Sequence, residues 1–350
     1  MAAVLASAAS QDISRDVPYV SIDIRTSPVA PRTAGGFLLQ YELFVTNWYG
    51  KDMTIRGVDT MSGDTLLATI EGEALDRLFP SGQTAVAGSR QTTTMILSGI
   101  ANELPDKLDH RIRFRIAGDS QDTAVRYRGT PIRENTLRLR PPVRGDSWFV
   151  LDGPGGKNHH TAGVLEFEGR ILVPQRFAID FMRQYEDGQV VHGDREDVRN
   201  YRGYGAEVLA VADARVVSVR NDVPDNPGQA KTNALSDTLA NLGGNRVVLD
   251  LGGGKFATYF HLQPRSVRVR GGESVHTGEV LGLVGNSGAT MPHLHFQVSN
   301  GPVAMISDGL PYVFDSFLRD GKEVTDQIPL DGWVISFLDA NGKRSRMPGR

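Results

Sequence analysis

Residues 278–298 read GEVLGLVGNSGATMPHLHFQV, and they decide how the second half of the chain is read. Leu294, Phe296 and Val298 alternate with His293 and His295. A period of two is the pattern of a strand with one apolar and one wet face. In such a strand His293 and His295 project from the same face, so both imidazoles aim at one spot. They could share a metal, or one could hold metal while the other handles protons. Alone the pair is a weak signal, because two polar residues on a wet face are commoner than a site.

Working upstream, Phe256-Ala257-Thr258-Tyr259-Phe260-His261 reads as a strand ending in a histidine. Further back, Arg176-Phe177-Ala178-Ile179-Asp180-Phe181 sets a carboxylate among apolar residues. Such a group is costly unless it meets a cation or a metal, and Arg176 or Arg183 would be the plain partners. Strands are also expected at 205–220, 245–251, 267–270 and 280–284, with a long loop at 221–244 and a further hairpin-like piece at 332–338. Seven of the eight histidines fall in this half.

The first half has a different texture. Val20 and Ile22 alternate with Ser21 and Asp23, Tyr41 and Leu43 with Gln40 and Glu42, and Ile112, Phe114 and Ile116 with Arg111, Arg113 and Arg115. Short strands punctuated by glycine and proline predict an immunoglobulin-like β-sandwich over 17–140, with one short helical stretch at 71–79. His110 is expected at a loop-to-strand position, in a structural role. Pro141-Pro142 closes the segment, since proline cannot donate to a sheet ladder.

Composition narrows the chemistry. The chain has 350 residues, 40% hydrophobic and 23% charged, which suits two globular domains. A formal net charge of -3 gives no basic field for nucleic acid. With no cysteine, any transition metal must be held by His, Asp or Glu. No run approaches the ~18 apolar residues of a membrane helix. The opening MAAVLASAASQD reads as a disordered leader or the remnant of a secretory signal, over 1–16.

In order and company these pieces resemble the lysostaphin-like zinc endopeptidases. The resemblance runs from about residue 158 to 300. It takes in Asp180, the segment Tyr204-Gly205-Ala206-Glu207-Val208-Leu209, Val247-Val248-Leu249-Asp250, Tyr259-Phe260-His261-Leu262, the glycine-spaced block from Gly278 to Gly288, and Pro292-His293-Leu294-His295-Phe296. Pro141-Pro142-Val143-Arg144-Gly145 resembles the junction before the peptidase in the branch that carries a leading β-sandwich. The resemblance implies a mainly β chain: an immunoglobulin-like β-sandwich, then an antiparallel β-sheet peptidase domain over 145–318, then a C-terminal extension over 319–350. It implies one zinc ion per chain, with Asp180 and His295 as ligands and His261 and His293 as catalytic histidines. The implied reaction is hydrolysis of peptide bonds in peptidoglycan, between small residues, by a metal-activated water. An exported protein of the periplasm or cell wall is expected.

One departure matters. The family pattern is H-x-x-x-D, and Arg176 stands where its histidine would be. A guanidinium offers no lone pair to a metal. Leu251 and Met291 are smaller departures. Catalytic zinc takes three protein ligands and keeps one position open, so a third ligand is needed. His160, 20 residues before Asp180, is the first candidate, and His159 and His192 are the alternatives. Arg176 and Tyr204 become candidate substrate contacts. The rival expectation is a degenerate, non-catalytic member acting as a wall-binding or regulatory module.

Overall fold

The structure, a computed structural model, describes residues 19–26, 28–80, 82–134, 137–229 and 243–338. The leader at 1–16, residues 230–242 of the expected loop and the basic tail from 339 lie outside the described residues. The chain divides into two units, one of 1–27, 41–97 and 105–132, the other of 28–40, 98–104 and 133–350. The run expected to form a single sandwich is thus shared, because 28–40, 98–104 and 133–140 belong with the second unit.

The first unit is built of antiparallel strands. Lys107–Ile116 lies between Thr123–Pro131 and Met53–Ser62, with Thr65–Glu71 beyond. Alternation sorts its faces as expected: Ile112 and Phe114 are fully buried, while Arg111, Arg113 and Arg115 pair with Asp59, Glu71 and Asp122 at 2.7, 2.8 and 2.7 Å. The two exposed pairs, Arg113–Glu71 and Arg115–Asp122, contribute about 0–1 kcal/mol each, whereas burying a phenylalanine contributes about 1.5–3 kcal/mol. The apolar face therefore holds the strand. The helical stretch is shorter than expected, Glu73–Asp76. His110 is not at a strand entry but inside Lys107–Ile116, fully buried, with Nε2 3.3 Å from the Tyr41 hydroxyl. Burial pulls its pKa down to about 4, against the opposing charge of Asp109.

The second unit is organised by one large, mostly antiparallel sheet. Its central order is Val334–Phe337, Gly145–Leu151, Ile179–Arg183, Leu294–Ser299, Phe256–Leu262, Asn245–Asp250 and Ala214–Arg220. Val313–Arg319 and Lys322–Gln327 continue it beyond Val334–Phe337. The described part of the C-terminal extension pairs into this sheet. The expected strand at 205–220 is two strands: Glu207–Leu209 pairs with Val280–Leu283 in a small separate sheet, and Ala214–Arg220 joins the large one. Residues 267–270 form no strand.

Register explains the site. Trp148, Val150, Phe181, Leu294, Phe296 and Tyr259 point to one face of the sheet and are completely buried there. One residue along each strand, the side chains point the other way. Leu151 pairs with Asp180, Asp180 with His295, and His295 with Phe260. Directly opposed residues on neighbouring strands have β-carbons about 4.5–5.5 Å apart. A carboxylate and an imidazole are thus brought side by side by backbone pairing, on a face backed by a dry core.

Candidate active site

This row forms the floor of a cavity of ≈ 450 Å³ lined by Leu151, Asp152, His159, His160, Asp180, Phe260, His261, His293 and His295, among others. Five of the eight histidines meet here: His160, His261, His293 and His295, and the alternative His159, while the other alternative, His192, does not line the cavity.

His295 Nδ1 lies 2.8 Å from Asp180 Oδ1. Its other nitrogen donates to Gln297 Oε1 at 2.8 Å. The Gln297 amide is itself oriented, because its Nε2 donates to the Pro174 carbonyl at 3.0 Å. A neutral imidazole with its proton on Nε2 carries a lone pair on Nδ1. Gln297 therefore aims the lone pair of His295 at the Asp180 oxygen, an arrangement that calls for a proton or a cation between them.

His160 arrives from another part of the chain. It lies in the short helix His159–Ala162, whose start is held by a capping box between Asn158 and Thr161. The expected loop is thus an ordered turn. His160 Nδ1 donates to the Asp152 carbonyl at 2.8 Å, which leaves the lone pair on Nε2. That atom is buried and has no hydrogen-bond partner, and it lies 3.7 Å from the same Asp180 Oδ1. An unpaired buried acceptor costs about 1–3 kcal/mol. Burial, despite the nearby Asp180 carboxylate, pulls the His160 pKa down to about 3, so the ring is neutral at pH 7.

Asp180 itself would be pushed up by burial, but its neighbours, the His293 ring and its hydrogen bond foremost, hold its pKa well below the usual range. His293 is not within the strand, which begins at Leu294. It reaches the cavity by a different geometry: Nδ1 donates to the Met291 carbonyl at 2.7 Å, and Nε2 lies 3.4 Å from Asp180 Oδ2. Burial works against its charged form, yet the Asp180 carboxylate outweighs burial and raises its pKa. His261 shows the opposite balance. Burial, then repulsion from His293 and His295, drives its pKa well below the ordinary value. Its Nδ1 donates to the Ser287 carbonyl at 2.9 Å, leaving Nε2 as an acceptor. The His261 and His293 rings are 4.7 Å apart.

The remaining candidates fall elsewhere or differ in kind. His159, His160 and Asp180 offer ligand atoms all within 4.8 Å of one another. His159, however, is 63% exposed and its Nδ1 is 3.1 Å from Asp152 Oδ2. His192 is 52% exposed, pairs with Asp187 at 3.0 Å and stacks on Tyr185, away from the cavity lining. Arg176 is buried and does not line the cavity; its guanidinium donates to the Gly309 carbonyl at 3.0 Å and faces Asp308 at 3.5 Å. Arg183 pairs with Asp146. Tyr204 donates to Asp225 at 2.6 Å and also stands outside the cavity lining. Sequence reasoning missed Gln297, Asp152 and Ser287. Gln297 could have been found by carrying the alternation two residues past His295. The other two act through backbone carbonyls, which no residue type advertises.

Residues 197–305 match the model of Peptidase family M23. The match takes in Tyr204, His261, His293 and His295 and stops short of His160, Arg176 and Asp180. Among curated proteins none matches the chain. Among solved structures the chain is similar to a mutant catalytic domain of the prophage-encoded M23 protein EnpA from Enterococcus faecalis, at 16% identity over 47% of this chain and 87% of that one, TM-score 0.27. It is similar to the catalytic domain of lysostaphin from Staphylococcus simulans, at 18% identity over 47% and 84%, TM-score 0.25. A zinc-containing peptidase from Vibrio cholerae matches at 16% identity over 83% and 86%, TM-score 0.28.

Proposed function

We propose that this chain, which carries a domain of the lysostaphin-like peptidase family M23, is a zinc-dependent endopeptidase acting on the peptide part of peptidoglycan. The observation that carries the reading is the buried, unpaired Nε2 of His160, 3.7 Å from the Asp180 oxygen that His295 Nδ1 meets at 2.8 Å. Two imidazole lone pairs and one carboxylate oxygen converge on one point. Two imidazoles, one carboxylate and no thiolate form a donor set that suits zinc. In this reading His160, Asp180 and His295 hold one zinc per chain. His160 takes the place of the histidine that Arg176 replaces. A zinc ion there supplies Lewis acidity, polarising a carbonyl and lowering the pKa of a bound water to about 7.

The chain's own residues divide the proton work. His261, with Nδ1–H committed to Ser287, offers its Nε2 lone pair as general base. His293 presents Nε2 as a donor to the developing oxyanion. Arg176, buried against Asp308, is a structural cation and not a substrate contact. The cavity walls include Met182, Met291, Met305 and Phe260, with Gly243 and Gly288 in place of side chains. A narrow site of that kind suits an extended peptide of small residues. Peptidoglycan lies outside the cytoplasm, so export goes with this substrate. Among the described residues no helix is long and apolar enough to cross a membrane.

The test is incubation of zinc-loaded protein with purified peptidoglycan, counting newly formed amino termini. Wild type should release them, and His261→Ala and His293→Ala should keep zinc while losing about 10²–10⁴-fold in turnover. Zinc bound without any hydrolysis would favour the rival reading, a wall-binding or regulatory module that has lost catalysis, for which the substitution at Arg176 is the one argument.

A further inference from the structure

His261 stands where the ladder between Asn245–Asp250 and Phe256–Leu262 loses register. Val247 pairs with Tyr259, but Asn245 pairs with Leu262. Two steps on one strand meet three on the other, so one residue bulges. His261 absorbs it at φ 64, a left-handed conformation that residues with side chains seldom hold without support. The consequence is chemical. Successive residues of a strand face opposite ways, yet Phe260 and His261 both line the cavity.

The support is a buried polar clamp. His261 N–H donates to the Gly243 carbonyl at 2.9 Å, and its carbonyl accepts from Gly285 N–H at 3.0 Å. Behind these contacts, the fully buried Ser287 accepts from Asn245 N–H at 2.9 Å and donates from Oγ to the Leu262 carbonyl at 2.7 Å. The fully buried Asn245 donates from Nδ2 to Leu262 and Val223 carbonyls at 3.0 and 2.7 Å, and accepts from Val223 N–H at 2.8 Å. The residue after His261 is thus gripped by two side chains, while the Ser287 carbonyl takes the His261 ring proton. A β-carbon on Gly244 would lie 2.1 Å from that carbonyl oxygen, so only glycine lets the segments close this tightly.

We propose that Ser287 and Asn245 are positioning residues that hold His261 in its left-handed backbone and in the Nδ1-protonated form, so that Nε2 faces the substrate as an acceptor. Neither side chain lines the cavity, so their effect runs through His261. The proposal rests on the reading of His261 as the general base.

The experiment compares zinc-loaded wild type, Ser287→Ala and Asn245→Asp, reading kcat, KM, zinc content and the ¹⁵N shifts of the His261 ring, assigned by loss of signal in His261→Gln. In both variants kcat should fall about 10–100-fold, the usual effect of losing an orienting partner, with KM within about two-fold and zinc unchanged. The ring should pass from the Nδ1–H form to a mixture of tautomers. Unaltered kcat, lost kcat with an unaltered tautomer, or loss of zinc alongside activity overturns the proposal. If neither variant folds, the wild-type spectrum decides: Nδ1–H supports the proposal and Nε2–H overturns it. A wild type that cleaves nothing counts against the peptidase reading alone, because the tautomer is read without turnover.

Discussion

Gln297 is the perturbation that separates ligand orientation from ligand identity. It does not line the cavity, yet it accepts from His295 Nε2 at 2.8 Å and donates to the Pro174 carbonyl at 3.0 Å, all of it buried. Gln297→Leu keeps the volume and strands both partners. Each unmade buried hydrogen bond costs about 1–3 kcal/mol, so the metal-free second unit should lose roughly 2–6 kcal/mol of stability. The freed imidazole can also move its proton to Nδ1, the nitrogen that must be bare to bind zinc. Losing such an orienting partner weakens metal binding about 10–100-fold, or about 1.4–2.8 kcal/mol. Gln297→Glu behaves differently. It still accepts from His295 Nε2, so zinc affinity should stay within about three-fold, but it no longer donates to Pro174, so stability should still fall. Chelator competition measures the affinity, and denaturant titration of the metal-free protein measures the stability. A Gln297→Leu protein that binds zinc as tightly as wild type would refute the reasoning that His295 binds through an Nδ1 fixed by Gln297.

Other outcomes follow from the same geometry. His160→Ala should weaken zinc binding by about 10²–10³-fold, taking the ~10–16 kcal/mol of a four-ligand site as about 2.5–4 per ligand; His159→Ala, which removes an exposed ring, should change it less than about three-fold, and the reverse order in dialysis-equilibrated zinc content would transfer the role to His159. In the first unit, His110 has a folded pKa of about 4 against an ordinary value of 6.5. As pH falls from 6.5 to 4 the unfolded chain takes up a proton that the folded one refuses, so stability is progressively lost across that window, by about 3 kcal/mol in all. His110→Gln should flatten that stretch of the stability–pH profile, and an unchanged slope would show that His110 is not its source.

How far the sequence could be read depends on the range over which each contact is made. Alternation is local, so the strands through Ile112, Phe114 and Leu294–Ser299 and the burial of their apolar faces were legible. The pairing of Asp180 with His295 spans 115 residues, and only the family resemblance put the two together; registration across adjacent strands accounts for it. His293 was placed on the strand face by period two, but the strand starts one residue later and the ring is aimed by the Met291 carbonyl. Arg176 was expected near Asp180 or the substrate because they are four residues apart. Its facing carboxylate is Asp308, in a loop that sequence spacing cannot bring near. The bulge at His261 was invisible for a related reason: a register shift is a property of two strands, and neither strand alone records it. Glycines at 244, 285 and 288 were the available hint, since each marks a close backbone approach, and Gly243 makes room for the Phe260 ring.

The central claim is that His160, Asp180 and His295 hold a zinc ion. Crystals of the zinc-loaded protein, measured just above and just below the zinc absorption edge, test it directly. The account predicts one anomalous difference peak in this unit, about 2.0–2.2 Å from His160 Nε2, an Asp180 oxygen and His295 Nδ1. A peak ligated by His159 or His192 in place of His160, or no peak here at full zinc loading, would contradict it.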